Sequence, residues 1–129
     1  MAVSLTKFEG MVFTLAFLAI FPTSVEANPL RFHCVYPTYS DNEAGPKQAK
    51  GFSLEFALDT VSDKAVMIGN NGVEEVLAHK GADGLTFLEF LPTGAVQSTT
   101  ISSTGESVHS RHSVMGGKIV PSQYYGKCS

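Results

Sequence analysis

Between Leu30 and Lys127, apolar residues recur at every second position, in short segments divided by turn residues. A period of two sends alternate side chains to opposite faces of an extended chain, so the pattern predicts half-buried strands. Phe52-Ser-Leu-Glu-Phe-Ala-Leu-Asp59 is the clearest case. Phe52, Leu54, Phe56 and Leu58 share one face, and four large apolar groups in a row require a core. Seven further strands are predicted over Leu30–Tyr36, Lys64–Ile68, Val73–Lys80, Leu85–Leu91, Ala95–Ile101, Ser107–Met115 and Lys118–Lys127. In the first, Leu30, Phe32, Cys34 and Tyr36 lie on one face, and Arg31, His33 and Val35 on the other. Leu85–Leu91 carries apolar residues on both faces. Short turns such as Gly69-Asn-Asn-Gly72, Pro92-Thr-Gly94 and Gly116-Gly117 join these strands. The exception is Pro37–Gln48, a polar, turn-rich stretch that reads as a long loop without structure of its own.

Eight short strands with short connections, and no convincing helix, predict an all-β antiparallel meander. Such a meander folds as a small up-and-down eight-stranded barrel or as a β-sandwich. The two cysteines favour the barrel. Cys34 stands in the first strand and Cys128 ends the last, and a disulfide holds its Cα atoms within about 7 Å. A Cys34–Cys128 bond makes the first and last strands neighbours, as closure of a barrel requires.

The expectation of a disulfide rests on export. Lys7 precedes an apolar run, Met11–Phe21, that is about 11 residues long and too short to span a bilayer, which takes about 20. Pro22 and a small-x-small ending, Val25-Glu-Ala27, follow. This layout predicts a signal peptide over residues 1–27, removed to leave residues 28–129 as a single domain without membrane insertion, periplasmic or secreted. An oxidising compartment favours a disulfide, and two cysteines allow only one intramolecular bridge.

The net charge of −3 and the scattered single Lys and Arg residues argue against nucleic acid as a partner. No cofactor motif is present, and no metal site is predicted. His109-Ser-Arg-His112 resembles a metal pair only on a helix, because strand alternation sends the two histidines to opposite faces. A Ser/His/acid triad using His112 with Asp59 or Glu89 lacks any local signature. Glu55 and Glu89, a candidate carboxylate pair, are expected to face outward. The candidate binding residues are His109, Arg111, Gln123 and Tyr125, read as one polar rim on the last two strands. Tyrosines suit such a rim because each joins an apolar ring to a hydroxyl.

The opening Phe32-His-Cys34 and the closing Gly126-Lys-Cys128, together with the Val-His-Ser-Arg-His and Val-Pro-Ser-Gln-Tyr-Tyr-Gly-Lys-Cys ending, resemble small uncharacterised periplasmic β-barrel proteins of Gram-negative bacteria. The layout is also similar to the barrel inhibitors of C-type lysozyme, which carry a Phe-x-Cys start. The inhibitory loop of that family has no counterpart at a matching position, and Gly116-Gly117-Lys118 is a poor substitute. The resemblance implies a barrel and an exported compartment, and brings no functional residues with it. The expectation for function is a soluble binding or structural module engaging an envelope protein or a small ligand. A small periplasmic hydrolase using His and carboxylate groups and a metal-binding protein are the alternatives.

Overall fold

The computed structural model describes residues 28–129, so the predicted leader over 1–27 lies outside the described residues. Eight antiparallel strands form a closed barrel in up-and-down order. They are β1 (Leu30–Asp41), β2 (Lys47–Leu58), β3 (Ala65–Gly69), β4 (Gly72–Lys80), β5 (Gly84–Phe90), β6 (Val96–Ser102), β7 (Glu106–Met115) and β8 (Lys118–Cys128). The described residues contain no helix.

The barrel closes through β1 and β8, where Cys34 stands opposite Cys128. The two cysteines are disulfide-bonded, with Cα atoms 4.0 Å apart. Below the bond, His33 and Ser129 exchange two backbone hydrogen bonds of 2.9 and 3.0 Å. Above it, the register shifts between Val35 and Thr38. The β1–β2 register also shifts, between Tyr36 and Thr38. Pro37 occupies this irregularity, where its lack of an N–H breaks no ladder bond. Gly126 lies across from the bulge because the two backbones meet there. A Cβ at that position would run into the Val35 carbonyl oxygen and the Tyr36 Cα.

Pro37–Gln48 is therefore mostly strand, contrary to the loop expected. β1 continues to Asp41, and β2 resumes at Lys47. Polar composition is compatible with a strand where two neighbours supply backbone partners, and β1 has β2 on one side and β8 on the other. Asp41 and Glu43 both accept from the Lys47 ammonium and pin the hairpin tip. The β7–β8 hairpin turns at Gly116 and Gly117, with φ of 57° and 75°. Positive φ at both central residues is the backbone of a type I′ turn, which glycine adopts without strain.

Inward residues stack in rows across the ladders. The lower rows are apolar: Cys34, Tyr36, Leu54, Phe56, Leu58, Ala65, Met67, Val76, Phe87 and Ile101 form one buried cluster. Phe56 and Phe87 stack at its centre, with ring centroids 4.3 Å apart and an interplanar angle of 6°. Burying such a side chain contributes about 1.5–3 kcal/mol. Tyr36 takes its hydroxyl into this core and satisfies it on Ser107 Oγ at 2.9 Å. Burial pushes the Tyr36 pKa up, while the Ser107 bond partly offsets the shift.

Candidate functional site

An eight-stranded barrel is just wide enough to be filled by its own side chains or to hold one small ligand. Here the filling changes character toward the end that carries the β1–β2, β3–β4, β5–β6 and β7–β8 turns. At the Phe87 level, one row crosses four strands as Phe87, Thr99, His109 and Tyr124. The next row up runs Glu89, Gln97, Arg111 and Ser122. Two residues along a strand separate these rows, so an aromatic and histidine layer lies beneath a charged layer.

His109 belongs to the lower of the two rows and is 1% exposed. Its Nδ1 lies 2.7 Å from Thr99 Oγ1. Tyr36, Phe52 and Tyr124 pack around the ring at centroid distances of 6.1, 5.6 and 6.0 Å. Burial among these groups, with a smaller effect from the Arg111 charge, lowers the His109 pKa to about 4. The imidazole is thus neutral at neutral pH.

A cavity of about 430 Å³ opens above this floor. Glu89, Gln97, His109 and Arg111 line it from β5, β6 and β7, while Glu74 and the Asn70-Asn71 turn line it from the β3–β4 side. Three buried polar atoms of this lining have no hydrogen-bond partner among the described residues: Glu89 Oε2, His109 Nε2 and Arg111 Nε. Buried polar atoms are paired in most proteins, so three orphans on one cavity stand out. Burial raises the Glu89 pKa, and the Glu74 carboxylate raises it further against an opposing effect of Arg111. No ion pair links Arg111 to either carboxylate among the described residues.

The predicted rim is split by the register. His109 stands opposite Tyr124, and Arg111 opposite Ser122. His109 and Arg111 therefore share the interior with Tyr124 and Ser122, while Gln123 and Tyr125 face outward. A rim of all four residues requires a β7–β8 register one residue away from the observed one, because a shift of one residue exchanges the faces. Outside, the Tyr125 hydroxyl donates to Gln123 Oε1 at 3.0 Å and lies 3.1 Å from Ser40 Oγ. Tyr125 and Val108 border a shallow outer groove of about 390 Å³.

Glu89, expected to face outward, faces the interior instead. Leu85, Phe87 and Glu89 share the inner face of β5, and Phe90 is 65% exposed. With large apolar groups on both faces, the phase of that strand is ambiguous in the sequence. Glu55 does face outward, 3.4 Å from His33 Nδ1, so the two glutamates form no pair. His112 is exposed on the outer face, as strand alternation predicted. Asp59 caps the β2–β3 turn, accepting from the Val61 and Ser62 amides and the Ser62 hydroxyl. These hydrogen bonds hold its carboxyl below the usual range. Neither His112 nor Asp59 belongs to the cavity, so no triad assembles. Among the described residues no group of three or more His, Cys, Asp or Glu side chains could hold a metal ion.

Compared with protein-family models, curated proteins and solved structures, the chain matches none.

Proposed function

We propose that the protein is an exported binding module that takes a small polar molecule in the mouth of its barrel. The single observation that supports this reading is that Glu89, His109 and Arg111, each with a buried polar atom lacking a protein partner among the described residues, line one cavity. Leaving such atoms unpaired costs about 1–3 kcal/mol each, which a complementary ligand recovers. The volume lies in the range of small-molecule sites, about 300–1,000 Å³. A periplasmic or secreted location agrees with the disulfide and with the short apolar run near the N-terminus. Ligand-observed NMR against a panel of amino acids, sugars, simple amines and carboxylates tests the reading. At least one compound is expected to show saturation transfer from the disulfide-closed protein and to lose it in Arg111→Met. Silence across the panel, or a signal that Arg111→Met leaves unchanged, overturns it.

Catalysis draws less support from the same geometry. Thr99 is the hydroxyl nearest His109, but it is buried beneath the cavity and does not line it. A second reading, docking of an envelope protein on the outer face, draws on the Gln123, Tyr125 and Ser40 cluster beside exposed Val108. Cross-linking from a photoreactive residue at position 125 in the exporting cell tests it: one discrete adduct is expected, and none overturns it.

A further inference from the structure

The charges around the mouth restrict what the cavity can hold, if the reading as a small-molecule site stands. Arg111 presents a permanent cation on β7. Glu89 on β5 and Glu74 on β4 present carboxylates, and Arg111 forms an ion pair with neither among the described residues. An inorganic anion would gain Arg111 and meet two glutamates. A metal cation would gain the glutamates and meet Arg111, and no set of three ligands exists for it among the described residues. An uncharged sugar would leave both kinds of charge without a counterpart, and the half-buried Glu89 and Arg111 gain from one.

A ligand that carries both signs satisfies the site. We propose that the barrel mouth binds a small zwitterion with a primary ammonium and a carboxylate, the carboxylate on Arg111 and the ammonium between Glu89 and Glu74. Free amino acids and short peptides share this chemistry. The arrangement uses each orphaned atom according to its kind. Arg111 Nε–H is a donor and faces the carboxylate, and Glu89 Oε2 accepts from the ammonium. His109 supplies a neutral part of the floor that adds no charge beneath the ligand. Gln97, which stands between Glu89 and Arg111 in the row, carries a donor and an acceptor to either side. A cation held beside Glu89 also favours its ionised form, against the burial that disfavours it.

The test is titration calorimetry on the disulfide-closed protein at pH 7 with four kinds of probe: free amino acids such as alanine and lysine, the dipeptide Ala-Ala, n-propylamine and propionate. Alanine, lysine or Ala-Ala is expected to bind roughly tenfold or more tightly than either single-charge probe, the loss expected for removing a charge-assisted contact. Free amino acids and Ala-Ala, titrated separately, identify the source. In Glu89→Gln the preference over propionate is expected to shrink, and in Arg111→Gln the preference over propylamine. If propionate or propylamine binds as well as the zwitterions, the ligand class is wrong while the mouth remains a binding site. If no amine, carboxylate or zwitterion binds although a sugar gives an Arg111-dependent NMR signal, the zwitterion proposal alone fails. If nothing in either experiment binds, both fail. The comparison among probes uses the unaltered protein, so it decides the matter even where a variant does not fold.

Discussion

His109 Nδ1 and Thr99 Oγ1 lie 2.7 Å apart across the β6–β7 ladder, one level below the charged row of the barrel mouth. The pairing fixes the ring among Tyr36, Phe52 and Tyr124 and leaves Nε2 buried without a partner among the described residues.

This burial makes stability depend on pH. The His109 pKa is about 4 in the folded protein, against 6.5 for an unperturbed histidine. Between these values the unfolded chain binds a proton that the folded chain refuses. The contribution of His109 is thus fully present above pH 6.5 and is lost as the pH falls toward 4. The gap corresponds to about 3 kcal/mol. Urea denaturation of the wild type is expected to show most of this loss between pH 7 and pH 4.5, and His109→Gln to show none of it. Asp41 and Asp59, whose pKa values are lowered, add their own loss only below about pH 4. Equal losses in wild type and variant between pH 7 and pH 4.5 would show that burial of the ring is not the cause.

Glu89 works in the opposite direction. Its raised pKa means that the folded protein holds the proton more firmly than the unfolded chain does. The ionised carboxyl is therefore a cost at neutral pH, and the cost disappears as the pH falls below 4.5. Glu89→Gln is expected to raise the thermal midpoint at pH 7 and to leave it unchanged at pH 4. Thermal denaturation at the two pH values checks this, and a lower midpoint at pH 7 would contradict it. A stabilising substitution at a polar mouth is what a site kept for binding predicts.

The disulfide closes a loop with a sequence separation of 94. On the chain-entropy account a loop of this size contributes about 4–5 kcal/mol. The double change Cys34→Ser with Cys128→Ser is expected to lower stability by a few kcal/mol in urea. Thiol titration of the native protein should find no free cysteine.

Gly126→Ala is expected to destabilise the barrel by about 2 kcal/mol or more, because its Cβ meets backbone rather than a movable side chain. Hydrogen exchange should localise the damage to amides of the β1–β8 ladder. Wild-type protection along that ladder in the variant would mean that the seam relaxes without cost.

The phase of most strands was legible in the sequence because their inner faces are uniformly apolar, as in Phe52, Leu54, Phe56 and Leu58. Closure was legible in Cys34 and Cys128. The extension of β1 past Pro37 was not, since a bulge that tolerates proline leaves no hydrophobic period. The site was half legible. His109 and Arg111 stood out as unusual residues, but their neighbours depended on the β7–β8 register, which two glycines in a tight turn set only to within one residue. Glu89 was hidden by Leu88 and Phe90, whose apolar side chains face away from the barrel interior.

The Cys34–Cys128 bond makes the barrel a covalent ring. All seven turns lie between the two cysteines, so a protease that severs any one of them leaves a single linked molecule. His33 and Ser129 pair side by side just outside that ring. The wall thus persists through a first cut. Clipping alone is a weak way to dismantle this protein, and clipping followed by reduction is an efficient one.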